Sequence, residues 1–431
     1  MKKRLYNKIL AFVAGFVFLT ALILLGLMGF DLLGPSQSLA ASCDHYLGLD
    51  VIEADGAANF SSVTAGQIVC LEGGRRGGLL LKNFAGTELA PIKFINFGGQ
   101  VIIDSRLPDG VQIQNSRHVR FAGVGSDHAY GITIIDAVTN GITVDWQSSN
   151  VEIDHIEISG VPQIGLLAQL RSDCNVQLDA EGMIDVRQNL IFHHLNIQNV
   201  GLEGLKIGQA SAQSGNGSGC KTQSAPQILT ELHGVRLYEN SFRDTGGNGI
   251  EVQAATQNCT IHHNATHRTG LNSASEAQSG ILNGAGSACH IYNNFISDSA
   301  RHGLFVAGNG GNNIYQNIIV NPGEPEAGSG IVLADTLKNG GVNVFNNTIV
   351  SPAEYGIAYR AFSSRNNVIT KNLIVRPVQG ESYYLRTEQH RGLSASDNFT
   401  TMNQAGVGFR DPLEADYSLL ETSAAFGYGA N

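Results

Sequence analysis

Four residues on nearby stretches of the chain have the types that do acid–base chemistry, and an asparagine stands among them. Glu203 and Lys206 stand in "EGLKIG" (203–208), Asn248 and Glu251 in "NGIEV" (248–252), and His302 opens "HGLFV" (302–306). Arg243, Asp244, His267, Arg268 and Arg301 occupy the segments leading into the same stretches. Carboxylates and imidazoles move protons, and an amine or guanidinium steadies a developing negative charge. Electrostatics restricts Lys206 as a base. One carboxylate about 5 Å away, at an effective dielectric near 20, favours the ammonium by roughly 3 kcal/mol. That is about two pKa units in the wrong direction. The same residues also read as a Glu–Lys–Glu charge ladder on a solvated face, which would add little stability.

A second constellation is Asp154-His155, His193-His194, Tyr238-Glu239 and His262-His263, at equivalent places in four successive repeats. Imidazoles beside a carboxylate suit a transition metal. The column continues as Tyr292, Tyr315 and Phe345, which reads equally as a stacking row or a platform for flat rings.

These residues are placed by a repeat. "NCTIHHNATH" (258–267) and "ACHIYNNFIS" (288–297) share one frame, which recurs with asparagine at 240, 264, 294, 317, 347 and 372. Three residues before it stand Leu237, Ile261, Ile291, Ile314, Val344 and Ile369. Two earlier repeats carry Ile156 and Leu195 at the asparagine position. A second signal alternates with the first: a glycine, then an aliphatic residue, as in "GITV" (141–144), "GLLA" (165–168), "GILN" (280–283) and "GIVL" (330–333). From Gly280 to Gly356 these glycines lie 23, 27 and 26 residues apart, which leaves no room for a helix pair. Short period-2 strands separated by turns cannot bury an apolar face alone, but stacked units can. Equivalent strands then lie about 4.8 Å apart as parallel neighbours. An asparagine at each turn takes the left-handed conformation and bonds its side chain to the next one. In this register Thr143, Leu167, Lys206, Glu251, Leu282, Phe305, Val332 and Ala358 form one outward row.

Composition agrees. The 52 glycines, against 10 prolines, favour turns and short strands over helices. No nucleophile elbow, phosphate loop or dinucleotide fingerprint is visible.

The alternation of N-x-I-x-x-N-x-[IF] with G-[IL]-x-[VI] resembles the right-handed parallel β-helix proteins of the pectate-lyase-like superfamily, over roughly residues 60–380. Residues 66–104 look like the entry coils of chondroitinase B-like and alginate lyases, and 408–429 like the closing segment of bacterial members. The resemblance implies an all-β solenoid of roughly ten to twelve coils, with a saccharide cleft along the glycine-led strands. It implies a protein that acts on or binds polysaccharide, most concretely a uronate-polysaccharide lyase. In that reading Lys206 is the base, Arg243, Arg268, Arg301 and His302 are its catalytic partners, and Glu203, Asn248 and Glu251 offer oxygens to Ca²⁺. One alternative is a non-catalytic surface β-helix that binds a cell-surface glycan. Another is a glycoside hydrolase, with Asp244 and Glu251 as the carboxylate pair.

Residues 1–42 read as a signal peptide or an N-terminal membrane anchor helix: Lys2, Lys3, Arg4 and Lys8 precede an apolar run from Ile9 to Phe30. Any membrane contact would run through 9–30, and only if that segment stays uncleaved. The body is expected to be secreted, periplasmic or at the cell surface, and monomeric. Its net charge falls from −10 for the whole chain to −13 without residues 1–42, which argues against a nucleic-acid partner. Six cysteines in an exported chain suggest Cys43–Cys70, Cys174–Cys220 and Cys259–Cys289. Residues 43–394 form the β-helix, capped at 43–65, and 395–431 close its other end.

Overall fold

Alternating apolar residues separated by sharp turns wind this chain into a parallel β-helix. The computed structural model describes residues 42–105, 107–145, 147–169, 186–208, 231–272, 278–308, 310–323, 327–334, 340–360, 366–377, 385–387 and 392–430. Residues 1–41, which hold most of the expected signal or anchor segment, lie outside them, as do Cys174 and Cys220. Among the described residues no helix is long and apolar enough to cross a membrane.

Each coil contributes strands to two sheets. Among the described residues the larger has 22 strands and the smaller 12, and neighbours within both are parallel. On the large sheet the inward residues pair coil to coil as Leu237, Ile261, Ile291, Ile314, Val344 and Ile369. On the small sheet Ile142, Leu166, Leu205, Ile250, Ile281, Leu304, Ile331 and Ile357 stack the same way, all fully buried. Each such side chain contributes roughly 1.5–3 kcal/mol by leaving water. The glycine that leads each small-sheet strand is demanded by this stacking. A Cβ on Gly303 would lie 2.3 Å from Ile319 Cγ2 and 2.7 Å from the Gly330 carbonyl oxygen.

The asparagines stack as expected, but the left-handed residue is a different one. Glu239, His263, Asn293, Gln316, Asn346 and Lys371, each one position before the frame asparagine, have φ between 53° and 55°. The asparagine itself turns inward and is fully buried, or nearly so. Its side chain satisfies the backbone groups that the sharp turn leaves unpaired. The stack also runs one step further than the repeat predicts, because Asn372 Nδ2 donates to Asn398 Oδ1 at 2.9 Å.

Both ends differ from expectation. The stretch expected to be a cap supplies the first coil: His45–Leu47 pairs with Ile68–Arg76 and Glu53–Asp55 with Leu79–Lys82. At the other end Leu393–Ser396 and Phe399–Thr401 still pair as coil strands. The following residues then fold back over the outer surface of the large sheet. Val407, Phe409, Tyr417, Leu419 and Ala425 pack on Val320, Val350, Leu373 and Val375, with Phe295 and Ile318 beside them. Outward valines on these strands explain the direction, since they would otherwise meet water.

Two of the expected disulfides are formed, Cys43–Cys70 and Cys259–Cys289. The second joins cysteines in register on adjacent coils. It closes a 30-residue loop, so replacing both cysteines with alanine is expected to cost about 2–4 kcal/mol. Urea unfolding of that double variant measures it.

Candidate functional site

The expected outward row exists, and the backbone pairing carries it from Thr143 through Leu167, Lys206, Glu251, Leu282, Phe305 and Val332 to Ala358. It is not a solvated face. Lys206 is 5% exposed, Glu251 4% and Glu203 6%, which removes the charge-ladder reading. Leu205–Gly208 and Ile250–Val252 are adjacent strands, so Lys206 lies beside Glu251, while Glu203 reaches it from one turn earlier.

The structure draws four of the predicted residues into one cluster. Lys206 Nζ is 3.1 Å from Glu203 Oε1 and 3.1 Å from Glu251 Oε1. Asn248 Nδ2 donates to Glu251 Oε2 at 3.0 Å, and its Oδ1 accepts the Ser279 amide at 2.8 Å. Gln253, which the sequence reading missed, donates through Nε2 to Glu251 Oε1 at 2.8 Å. Its place two residues after Glu251 on an outward-facing run was the available signal.

Burial raises the Glu251 carboxyl above the usual carboxylate range; Lys206 opposes the rise and Glu203 adds to it. Burial works to lower the Lys206 ammonium, but Glu251 and Glu203 outweigh it and hold its pKa above the ordinary lysine value. Lys206 is therefore a fixed cation and a poor base. The cluster also fits Ca²⁺ badly as it stands. The ammonium already lies between the two carboxylates, and the Asn248 oxygen serves a backbone amide.

His302 stands on the same face, two coils beyond the Glu251 level. Its Nδ1 accepts the Ser329 amide at 3.1 Å, leaving Nε2 as the proton-bearing nitrogen. Burial pushes its pKa down to about 3, helped by Arg301 and Arg360, so the ring is a neutral donor and not an acid at neutral pH. It stacks on the partly exposed ring of Phe305, with centroids 5.6 Å apart. Phe305 lies two coil spacings, about 10 Å, from Glu251.

The arginines stay outside the cluster. Arg243 is exposed on the large sheet, in register with Gln198 and His267. Arg268 is also exposed there and pairs with Asp244 at 2.9 Å. Arg301 is exposed beside His302. The carboxylate pair expected from Asp244 and Glu251 is divided between the two sheets, and Glu203 is the carboxylate that shares a cation with Glu251.

The second constellation lies on the large sheet. His193, Tyr238, His262, Tyr292, Tyr315 and Phe345 stack with centroids 4.6–5.3 Å apart and planes within 13°. Each ring covers the face of the next, so the column offers edges rather than a flat platform. A cavity of about 420 Å³ opens on this sheet, lined by Gln188, Asn189, His233, Gly234, Arg236 and Asn258. The Glu203–Glu251 cluster instead sits on the small sheet.

A family model described as a right handed beta helix region matches residues 183–374, in accord with the parallel coils. A comparison with curated proteins gives no match. Among solved structures, the chain is similar to a GH136 lacto-N-biosidase from Eubacterium ramulus, at 13% identity and a TM-score of 0.50 over 83% of this chain and 68% of that one. It is also similar to a PL6 family polysaccharide lyase from Pseudopedobacter saltans, at 14% identity and a TM-score of 0.49 over 88% and 99% of the two chains. A periplasmic alginate epimerase aligns at 12% identity and 0.43 over 84% of each. At these identities the likeness is one of fold, and the reaction has to be argued from the site.

Proposed function

We propose that this right-handed parallel β-helix is a carbohydrate-active enzyme that hydrolyses glycosidic bonds on its small-sheet face, with Glu251 as the acid and Glu203 as the nucleophile. The observation that carries the reading is the buried carboxylate pair holding one ammonium between them. Both carboxylates touch the same Nζ at 3.1 Å, so the two contacting oxygens are no more than twice that distance apart. A separation of about 5–5.5 Å is characteristic of retaining glycosidases, and the wider spacing of inverting enzymes leaves room for a water. Glu251, whose carboxyl burial raises, suits the leaving-group oxygen better than an ordinary carboxylate would, as a raised carboxyl does in that chemistry. Lys206 balances one negative charge beside the pair. Phe305 and the His302 Nε2–H offer a ring and a donor further along the same face.

Elimination at a uronate has less support. It needs a cation free to neutralise the uronate carboxylate and a base free to take a proton. Lys206 is engaged by two carboxylates, which would repel a third. The two disulfides suit an oxidising compartment outside the cytoplasm.

The test is incubation of the purified protein with a panel of neutral and uronate polysaccharides, following reducing ends and ultraviolet absorbance together. New reducing ends without absorbance support hydrolysis. Absorbance from unsaturated ends would restore the lyase reading. Glycan retention with no product of either kind would indicate a binding protein.

A further inference from the structure

The small-sheet face beyond Glu251 carries groups that bond cleavage does not use. Leu282, Phe305 and Val332 continue its outward row, and the first two are partly exposed. The His302 ring lies over Phe305, their planes inclined by 24°. The His302 side chain is buried, and its Nδ1 is taken by the Ser329 amide. The proton is therefore on Nε2, and no described residue accepts it. An aromatic face beside a fixed donor suits a sugar, which has apolar C–H faces and hydroxyl edges.

Two arginines make the same place positive. Arg301 immediately precedes His302 and is exposed, while Arg360 follows the outward position Ala358 by two residues and is half-buried. Both charges act on the His302 ring and oppose its protonation. Neither guanidinium has an ion-pair partner among the described residues. Lys206 is the opposite case, since two carboxylates already hold it. An unengaged fork of N–H donors matches the paired oxygens of a carboxylate or a sulfate.

We propose that Phe305, His302, Arg301 and Arg360 form a subsite for an acidic sugar unit, one that carries a carboxylate or a sulfate ester. The sugar ring lies on Phe305, the His302 Nε2–H donates to one of its oxygens, and the arginines take the acid. The inference rests on the hydrolytic reading of this face and adds a substrate class to it. Phe305 is about 10 Å from Glu251, so the acidic unit is not the one that meets the carboxylate pair. Two glutamates and one lysine leave no cation there for an acid, whereas the two arginines favour one at Phe305. The polymer that satisfies both places is a heteroglycan with acidic units beside neutral ones, cleaved at a neutral unit.

The experiment is calorimetric titration of the purified full chain with three monosaccharides: glucuronate, glucose 6-sulfate and glucose. At least one acid is expected to bind about tenfold or more tightly than glucose, the gain from one charge-assisted contact. That binding weakens as salt is raised. The tighter acid identifies the substituent. Arg301→Gln and Arg360→Gln each weaken it by about tenfold. Phe305→Leu, which removes the ring and stays apolar, weakens acid and glucose alike. Unchanged thermal unfolding of the variants separates loss of the site from loss of the fold. Glucose bound as tightly as both acids, no binding of any of the three, or acid binding untouched by replacing both arginines would overturn the subsite. The cleavage panel answers separately. Arginine-dependent acid binding in a chain that releases no reducing ends keeps the subsite and removes hydrolysis. Cleavage of neutral polymers without such binding keeps hydrolysis and removes the subsite.

Discussion

Glu251→Gln and Glu203→Gln each lower the rate of glycoside cleavage by about a hundred-fold or more, the usual contribution of a positioned proton donor or its partner. The amide keeps the shape of the carboxyl and can still bond to Lys206 or Asn248, so the fold should survive. Glutamine at 251 has no proton to give to the leaving oxygen. Glutamine at 203 cannot form the glycosyl ester. Rates on the best polysaccharide of the panel, compared with thermal unfolding of the same variants, check the prediction. Full activity in either variant would reduce the Glu203–Lys206–Glu251 cluster to a buried ion network. Such networks contribute little net stability once desolvation is counted.

Asn294→Ala lowers the stability of the β-helix by about 4 kcal/mol. The Asn294 side chain donates to the Ile261 carbonyl at 2.9 Å, the Tyr292 carbonyl at 3.1 Å and Asn317 Oδ1 at 2.9 Å. Its own Oδ1 accepts the Asn264 amide and Asn264 Nδ2, both at 3.0 Å. Alanine leaves the buried Asn264 N–H and Ile261 C=O without these partners, at about 1–3 kcal/mol each, and opens a small cavity besides. The shift in urea midpoint measures the cost. A loss below about 1 kcal/mol would mean that water replaces the side chain.

The stacking order was legible in the sequence to the residue. Period-2 alternation fixes which side chains point inward, and the glycine marks where each small-sheet strand enters, so Lys206 beside Glu251 followed directly. What the sequence did not carry was the environment of that row. Lys206, Glu203 and Glu251 have the composition of a surface, yet they are buried, and no local pattern encodes what covers an outward face. The same limit explains Gln253, which acts through a neighbour, Glu251, two residues away. The turn was misread by one position because asparagine is so often the left-handed residue. Here the preceding residue takes that conformation, even as Glu239 or Lys371, because the buried asparagine secures the turn from inside. Asn398 escaped the repeat because Ala395 stands where the other coils carry Ile, Leu or Val. The folded-back C-terminal segment is a long-range packing of valines that no period announces.

The most direct test of hydrolysis at the carboxylate pair is proton NMR of a digestion followed from its first minutes. Hydrolysis there gives an anomeric signal of the same configuration as the cleaved linkage, with no vinyl proton, and the signal is absent in Glu251→Gln. A vinyl proton of an unsaturated sugar, or a first product of inverted configuration, would contradict it.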